Sequence, residues 1–148
     1  MAKTTRKDKK LNKKRTIKRP IASNNEKIIW TFEDVDKDGK FAFNVNREDF
    51  NHKEIVDKLL SFSTMTWDEV IKATHDKAGK SKHHYIDVEK FSKEARERFH
   101  FKCKEEDSEA VFSFALQNKL RVIGVRQNEF FRVLWYDPNH EFYPTSKK

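Results

Sequence analysis

His140, Glu141 and Tyr143 stand within four residues of one another near the end of a 148-residue chain, in a segment over residues 135–144 that reads WYDPNHEFYP. Cleavage of RNA through its own 2′-hydroxyl needs a base for that hydroxyl, an acid for the leaving oxygen and a cation for the phosphate. His140 suits the base because an imidazole titrates near neutrality. Tyr143 or Glu141 could serve as the acid, and Arg121, Arg126 or Arg132, a short way upstream, could hold the phosphate. Asp137 and Pro138 make a turn directly after an apolar run, and catalytic groups often sit where a loop leaves a rigid sheet. A histidine hydrogen-bonded to a turn aspartate, with no chemistry at all, fits the same residues.

Other residues invite a metal reading and then fail it. Asp34, Asp36, Asp38 and Gly39 reproduce the D-x-D-x-D-G opening of a calcium loop, but the twelfth position, where a bidentate glutamate belongs, is Val45. An Asp-Gly turn between two strands explains these residues more simply. His75, His83 and His84 match no zinc spacing on a helix, although His83, His84 and Tyr85 could stack on unpaired bases. Cys103 is the only cysteine, which rules out an internal disulfide and a cysteine-based zinc site. No metal or cofactor is expected.

The elements that would position these groups follow from periodicity. Ile28, Trp30 and Phe32 fall on one side of an alternating run with Ile29 and Thr31 on the other, and Phe41, Phe43 and Val45 alternate likewise after the turn at residues 36–39, which predicts an N-terminal β-hairpin. Asn46 caps a helix expected over residues 47–60, where Phe50, Ile55, Leu59 and Phe62 recur at helical spacing. Thr66 and Glu69 form a capping box opening a second helix that runs to about Asp76. A loop over residues 78–82, a short extended piece at residues 85–88 and a polar helix over residues 89–99, with Phe91 and Ala95 facing inward, come next. After an acidic turn at residues 104–109, the runs 111–116, 120–126 and 130–136 are rich in β-branched and aromatic residues and predict a three-stranded antiparallel meander. With its last turn centred on Gln127 and Asn128, Arg126 pairs with Glu129, Val125 with Phe130, Ile123 with Arg132 and Arg121 with Leu134. Arg121 and Arg132 then share a face with Ile123, Val125 and Leu134, where their guanidinium groups either contact phosphate or snorkel past packed helices.

The fold class expected is therefore α+β: hairpin, two to three helices and a C-terminal meander, forming a single domain over residues 27–148. Before it, residues 1–26 read as a disordered basic arm and linker. Residues 1–20 hold ten Lys or Arg against the single acid Asp8, a local charge of +9 in a chain of net +8, so the rest carries −1. A block of like charges with few apolar residues cannot bury enough surface to order itself, and such cations give salt-sensitive, sequence-independent attraction to nucleic acid. Lys9, Lys10, Lys13, Lys14, Arg15, Lys18 and Arg19 are its candidate nucleic-acid contacts. A solubility tail or a nuclear import signal would have the same composition. No stretch approaches the apolar length of a membrane span or of a secretory signal, so a cytoplasmic protein with no membrane partner is expected.

The C-terminal part, FSFALQNKLRVIGVRQNEFFRVLWYDPNHEFYP, with helices before a closing meander, resembles the RelE/ParE superfamily of bacterial toxins. In that family a strand carrying arginines crosses the sheet and the hydrophobic strand after it ends near the active site; residues 120–126 and 130–136 are similar to those two strands. The resemblance implies an RNA-cleaving, ribosome-associated toxin, or a relative acting on gyrase, held in check by a cognate antitoxin protein, with Arg121 and Arg126 binding phosphate. The long arm and the N-terminal hairpin depart from the compact family pattern. The function expected is a toxin-like, RNA-directed endoribonuclease. The alternatives are a non-catalytic nucleic-acid-binding protein that works through its arm, or a protein-interaction domain.

Overall fold

The computed structural model describes residues 24–74, 81–103 and 110–144. In chain order these form β1 (Ile29–Thr31), α1 (His52–Phe62), α2 (Trp67–Lys72), β2 (His84–Tyr85), a 3-10 turn (Val88–Lys90), α3 (Lys93–Lys102), β3 (Ala110–Ala115), β4 (Arg121–Gln127) and β5 (Phe130–Asp137). The basic arm lies outside the described residues up to residue 23, and with it Lys9, Lys10, Lys13, Lys14, Arg15, Lys18 and Arg19. His75 and the acidic segment 104–109 lie outside them as well.

The architecture is α+β, with three α-helices and one five-stranded mixed sheet among the described residues, its strands ordered β1-β5-β4-β3-β2. The meander forms as β3, β4 and β5, paired antiparallel. The hairpin does not form. β1 runs parallel to β5, with Ile29 opposite Phe130, and the run at residues 41–45 contributes only a bridge from Ala42 to Trp135. Alternation records which side chains face a core, not which strand they pair with. Long-range bonds to β5 hold the chain both between the runs, where the Asp36 amide donates to Leu134 O, and at the start of the second, where Phe41 O accepts the Tyr136 amide.

The last turn also differs from expectation. It holds Asn128, in a left-handed conformation at φ 59°, and Glu129, so Gln127 pairs with Phe130 and Val125 with Arg132, a slip of two residues. Asparagine tolerates positive φ, which draws the turn one residue toward it.

The sheet is covered on both sides. Trp67, Val70, Ile55 and Phe62 from α1 and α2 pack with Phe112, Phe114, Val122, Phe131 and Val133 on one face. Ala95, Phe91 and Cys103, from α3 and its flanks, pack with Val111, Ile123, Val125, Leu134 and Trp135 on the other. Local signals set the helix ends. Thr66 and Glu69 make the expected capping box at the start of α2, which ends at Lys72. α1 is capped by Asn51 rather than Asn46: the Tyr136 hydroxyl donates to Asp49 O and accepts from the Asn51 amide, both at 2.8 Å, and fixes the chain there before it coils. The third helix begins after Ser92, whose hydroxyl accepts from the Ala95 amide at 3.1 Å, with Phe91 and Ala95 facing inward as expected.

Candidate active site at the end of the central strands

A β-bulge creates the site. Gly124 pairs with Val133, but Ile123 pairs with Trp135, so Leu134 is an extra residue in β5. Leu134 and Trp135 both join the core beneath α3, and the alternation beyond them is inverted. The inversion brings Asp137 opposite Arg121, and so puts the C-terminal loop on the same face as that arginine. Gly124 permits the bulge because the strands approach closely there: a Cβ on it would lie 2.0 Å from Arg132 O.

Asp137 is fully buried, and its two carboxylate oxygens accept the amides of Glu141 and Phe142 at 2.9 Å each. Burial pushes its pKa up, against the pull of those two amides. The loop they hold turns back through His140, at φ 58°, and inserts Phe142 and Tyr143 beneath the sheet. The Tyr143 ring lies 4.6 Å from the His140 ring and 5.7 Å from that of His84, so two imidazoles stand close to one phenol. The Tyr143 hydroxyl shares a 2.8 Å hydrogen bond with Ser113 Oγ and lies within reach of the Arg121 guanidinium. Burial raises the Tyr143 pKa, so the hydroxyl keeps its proton. Burial lowers the His140 pKa below 6.5, and the charges of Arg121 and Lys119 act in the same direction. Arg121 is oriented by donating to Asn118 O and Leu120 O, both at 2.9 Å.

Of the residues expected to share a site, His140, Tyr143 and Arg121 come together. The others do not. Glu141 turns outward to Lys40 at 3.3 Å. Arg132 shares a face with Arg121, as expected, but lies toward the far end of the strands, paired with Asp34 at 3.1 Å. Arg126 projects from the opposite face and is 1% exposed; its guanidinium lies 4.0 Å above the Trp67 ring and donates to Asn128 O, Asn24 Oδ1 and the Tyr85 hydroxyl. A cation so enclosed cannot meet a phosphate. His83 is also buried, its Nδ1 accepting the Ala115 amide at 2.9 Å between the rings of Phe62 and Phe114.

The acidic motif is structural too. Asp36 receives two bonds from Arg98, at 2.9 and 2.7 Å, and one from Trp135 Nε1 at 2.9 Å. Burial works to raise its pKa, but these bonds outweigh it and the carboxyl titrates below its usual range. Two members of the site escaped the sequence reading. Ser113 is the lone polar residue in a wholly buried strand, a signal that alternation alone could have raised. Lys119 gave none.

Comparison of the chain with protein-family models, with curated proteins and with solved structures finds no match.

Proposed function

We propose that the chain is an RNA-directed endoribonuclease whose site is the His140–Tyr143–Arg121 cluster. The observation that carries this reading is that two half-buried imidazoles and a half-buried guanidinium lie close to one buried phenol. His140 takes the proton of the ribose 2′-hydroxyl as its oxygen attacks phosphorus. The bond from phosphorus to O5′ breaks, and His84, as imidazolium, protonates the departing oxygen. The products are a 2′,3′-cyclic phosphate and a free 5′-hydroxyl. Arg121 offsets charge on the phosphoryl oxygens. Tyr143, enclosed and bonded to Ser113, positions both imidazoles instead of serving as the acid that its residue type suggested.

The test is cleavage of a short unstructured RNA by the purified full chain. His140→Ala and Arg121→Ala are each expected to lower kcat/KM by about a hundredfold or more. Because the His140 pKa lies below 6.5, its base form persists to lower pH, and the acidic limb of kcat/KM should fall below that value. An acidic limb above 6.5, or cleavage unaffected by either substitution, would sink this assignment.

A further inference from the structure

Beside the cluster, the β3–β4 turn, the loop after β5 and the residues preceding α1 enclose an open cleft of about 590 Å³, lined by Gln117, Asn118, Lys119, Asn139, Asn51 and Asp49 among others. It borders the site directly: Asn139 precedes His140, and Lys119 lies close enough for its charge to lower the His140 pKa. We infer that this cleft is a nucleobase-binding subsite that selects the nucleotide next to the scissile phosphate. The inference rests on the endoribonuclease reading.

The lining favours a base over a phosphate. Lys119 is its one cation, and Asp49, committed to Arg47 at 2.8 and 3.0 Å, sets a negative charge against it. The start of α1 offers little to an anion, because the Asn51 amide already bonds the Tyr136 hydroxyl and the Glu54 amide bonds Asn51 Oδ1. What remains is neutral and polar. The side-chain amides of Gln117, Asn118 and Asn139 bond to no described residue, and all three are exposed. An amide presents a donor and an acceptor in one plane, the pattern that matches the edge of adenine bidentately. Leu120 and Tyr136 add an apolar wall. The volume falls in the range of small-ligand clefts and admits a base with its ribose. The ligand is thus an unpaired nucleotide, with adenine preferred.

The test uses the full chain, wild type and with Gln117→Ala, Asn118→Gly and Asn139→Ala combined, glycine keeping the φ of 52° that sets Asn118 O against Arg121, on RNAs that differ at the nucleotides flanking the cut. In parallel, side-chain amide signals of the wild type are followed by NMR on addition of non-cleavable 2′-O-methyl tetranucleotides with adenine, guanine, cytosine or uracil at one position. Wild type is expected to favour adenine by roughly tenfold in kcat/KM, and the triple variant to cut with that preference flattened. Cleavage with no base preference, or with a preference the variant retains, would overturn the subsite and leave the enzyme reading standing. Adenine-dependent shifts of the three amides without any cleavage would keep the subsite and remove the enzyme reading. Neither shifts nor cleavage would remove both.

Discussion

A single arginine shows how far residue type can mislead. Arg126 stands in a strand beside other cations, and both its charge and its place in the RelE/ParE-like pattern suggested a phosphate contact. Burial reverses that expectation. Its guanidinium lies flat over Trp67 and spends its donors on a carbonyl, an amide oxygen and a phenol, joining the chain near Asn24 to the β4–β5 turn and to β2. Arg126→Ala should therefore destabilise the fold by about 2–4 kcal/mol, because the cation–π interaction disappears and buried acceptors are left without donors. Arg126→Lys should recover little of this, because an ammonium cannot reproduce the planar fork. Urea unfolding measures the effect, and RNA binding by the folded fraction should be unchanged. A variant of full stability and weakened RNA binding would instead make Arg126 a phosphate ligand. The same distinction separates Asp36 from a calcium ligand: its bonds to Arg98 and Trp135 make it a buried hub.

Elements were more legible than their pairing. The meander, the capping box of α2 and the inward face of α3 could be read because each depends on neighbours a few residues apart. The hairpin could not, since its runs at residues 28–32 and 41–45 find their partners about a hundred positions later, both in β5. The helix cap expected at Asn46 forms at Asn51, where a phenol from β5 holds the chain. The bulge at Gly124 was equally invisible, yet it alone sets Asp137 opposite Arg121 and joins the loop to the arginine. His140, Tyr143 and Arg121 could thus be named from the sequence, while the geometry that unites them could not. Gly124→Ala tests the point: its Cβ would meet Arg132 O at 2.0 Å and the Phe131 ring at 2.9 Å. The backbone clash cannot be relieved without parting β4 from β5, so a destabilisation of about 3 kcal/mol or more is expected. Thermal unfolding measures it, and a variant of unchanged stability would mean that the close approach is not maintained in solution.

Across the whole molecule, the block of cations and the proposed site lie far apart in the chain, at residues 3–19 and 121–143. The ten arm cations join the described body at Asn24, which bonds Arg126 at one end of the central strands, whereas Arg121 and Asp137 lie at the other. The five steps from Arg121 to Arg126 span roughly 17 Å at the rise of a strand. Without residues 1–20 the rest of the chain carries a net −1 and has little long-range attraction for a polyanion. The arm should then govern capture, and the sheet end the reaction. Deleting residues 1–20 is expected to raise KM and to flatten the dependence of log affinity on log salt by about 0.7 for each phosphate of single-stranded RNA that the arm had neutralised. If the arm acts in capture alone, the single-turnover rate at saturating RNA should stay within about twofold. Titrations at several salt concentrations, beside single-turnover cleavage, separate the two effects. A saturated rate that collapses with the affinity would mean that arm cations reach across the domain and act on the phosphate beside Arg121, which would make the arm part of the active site.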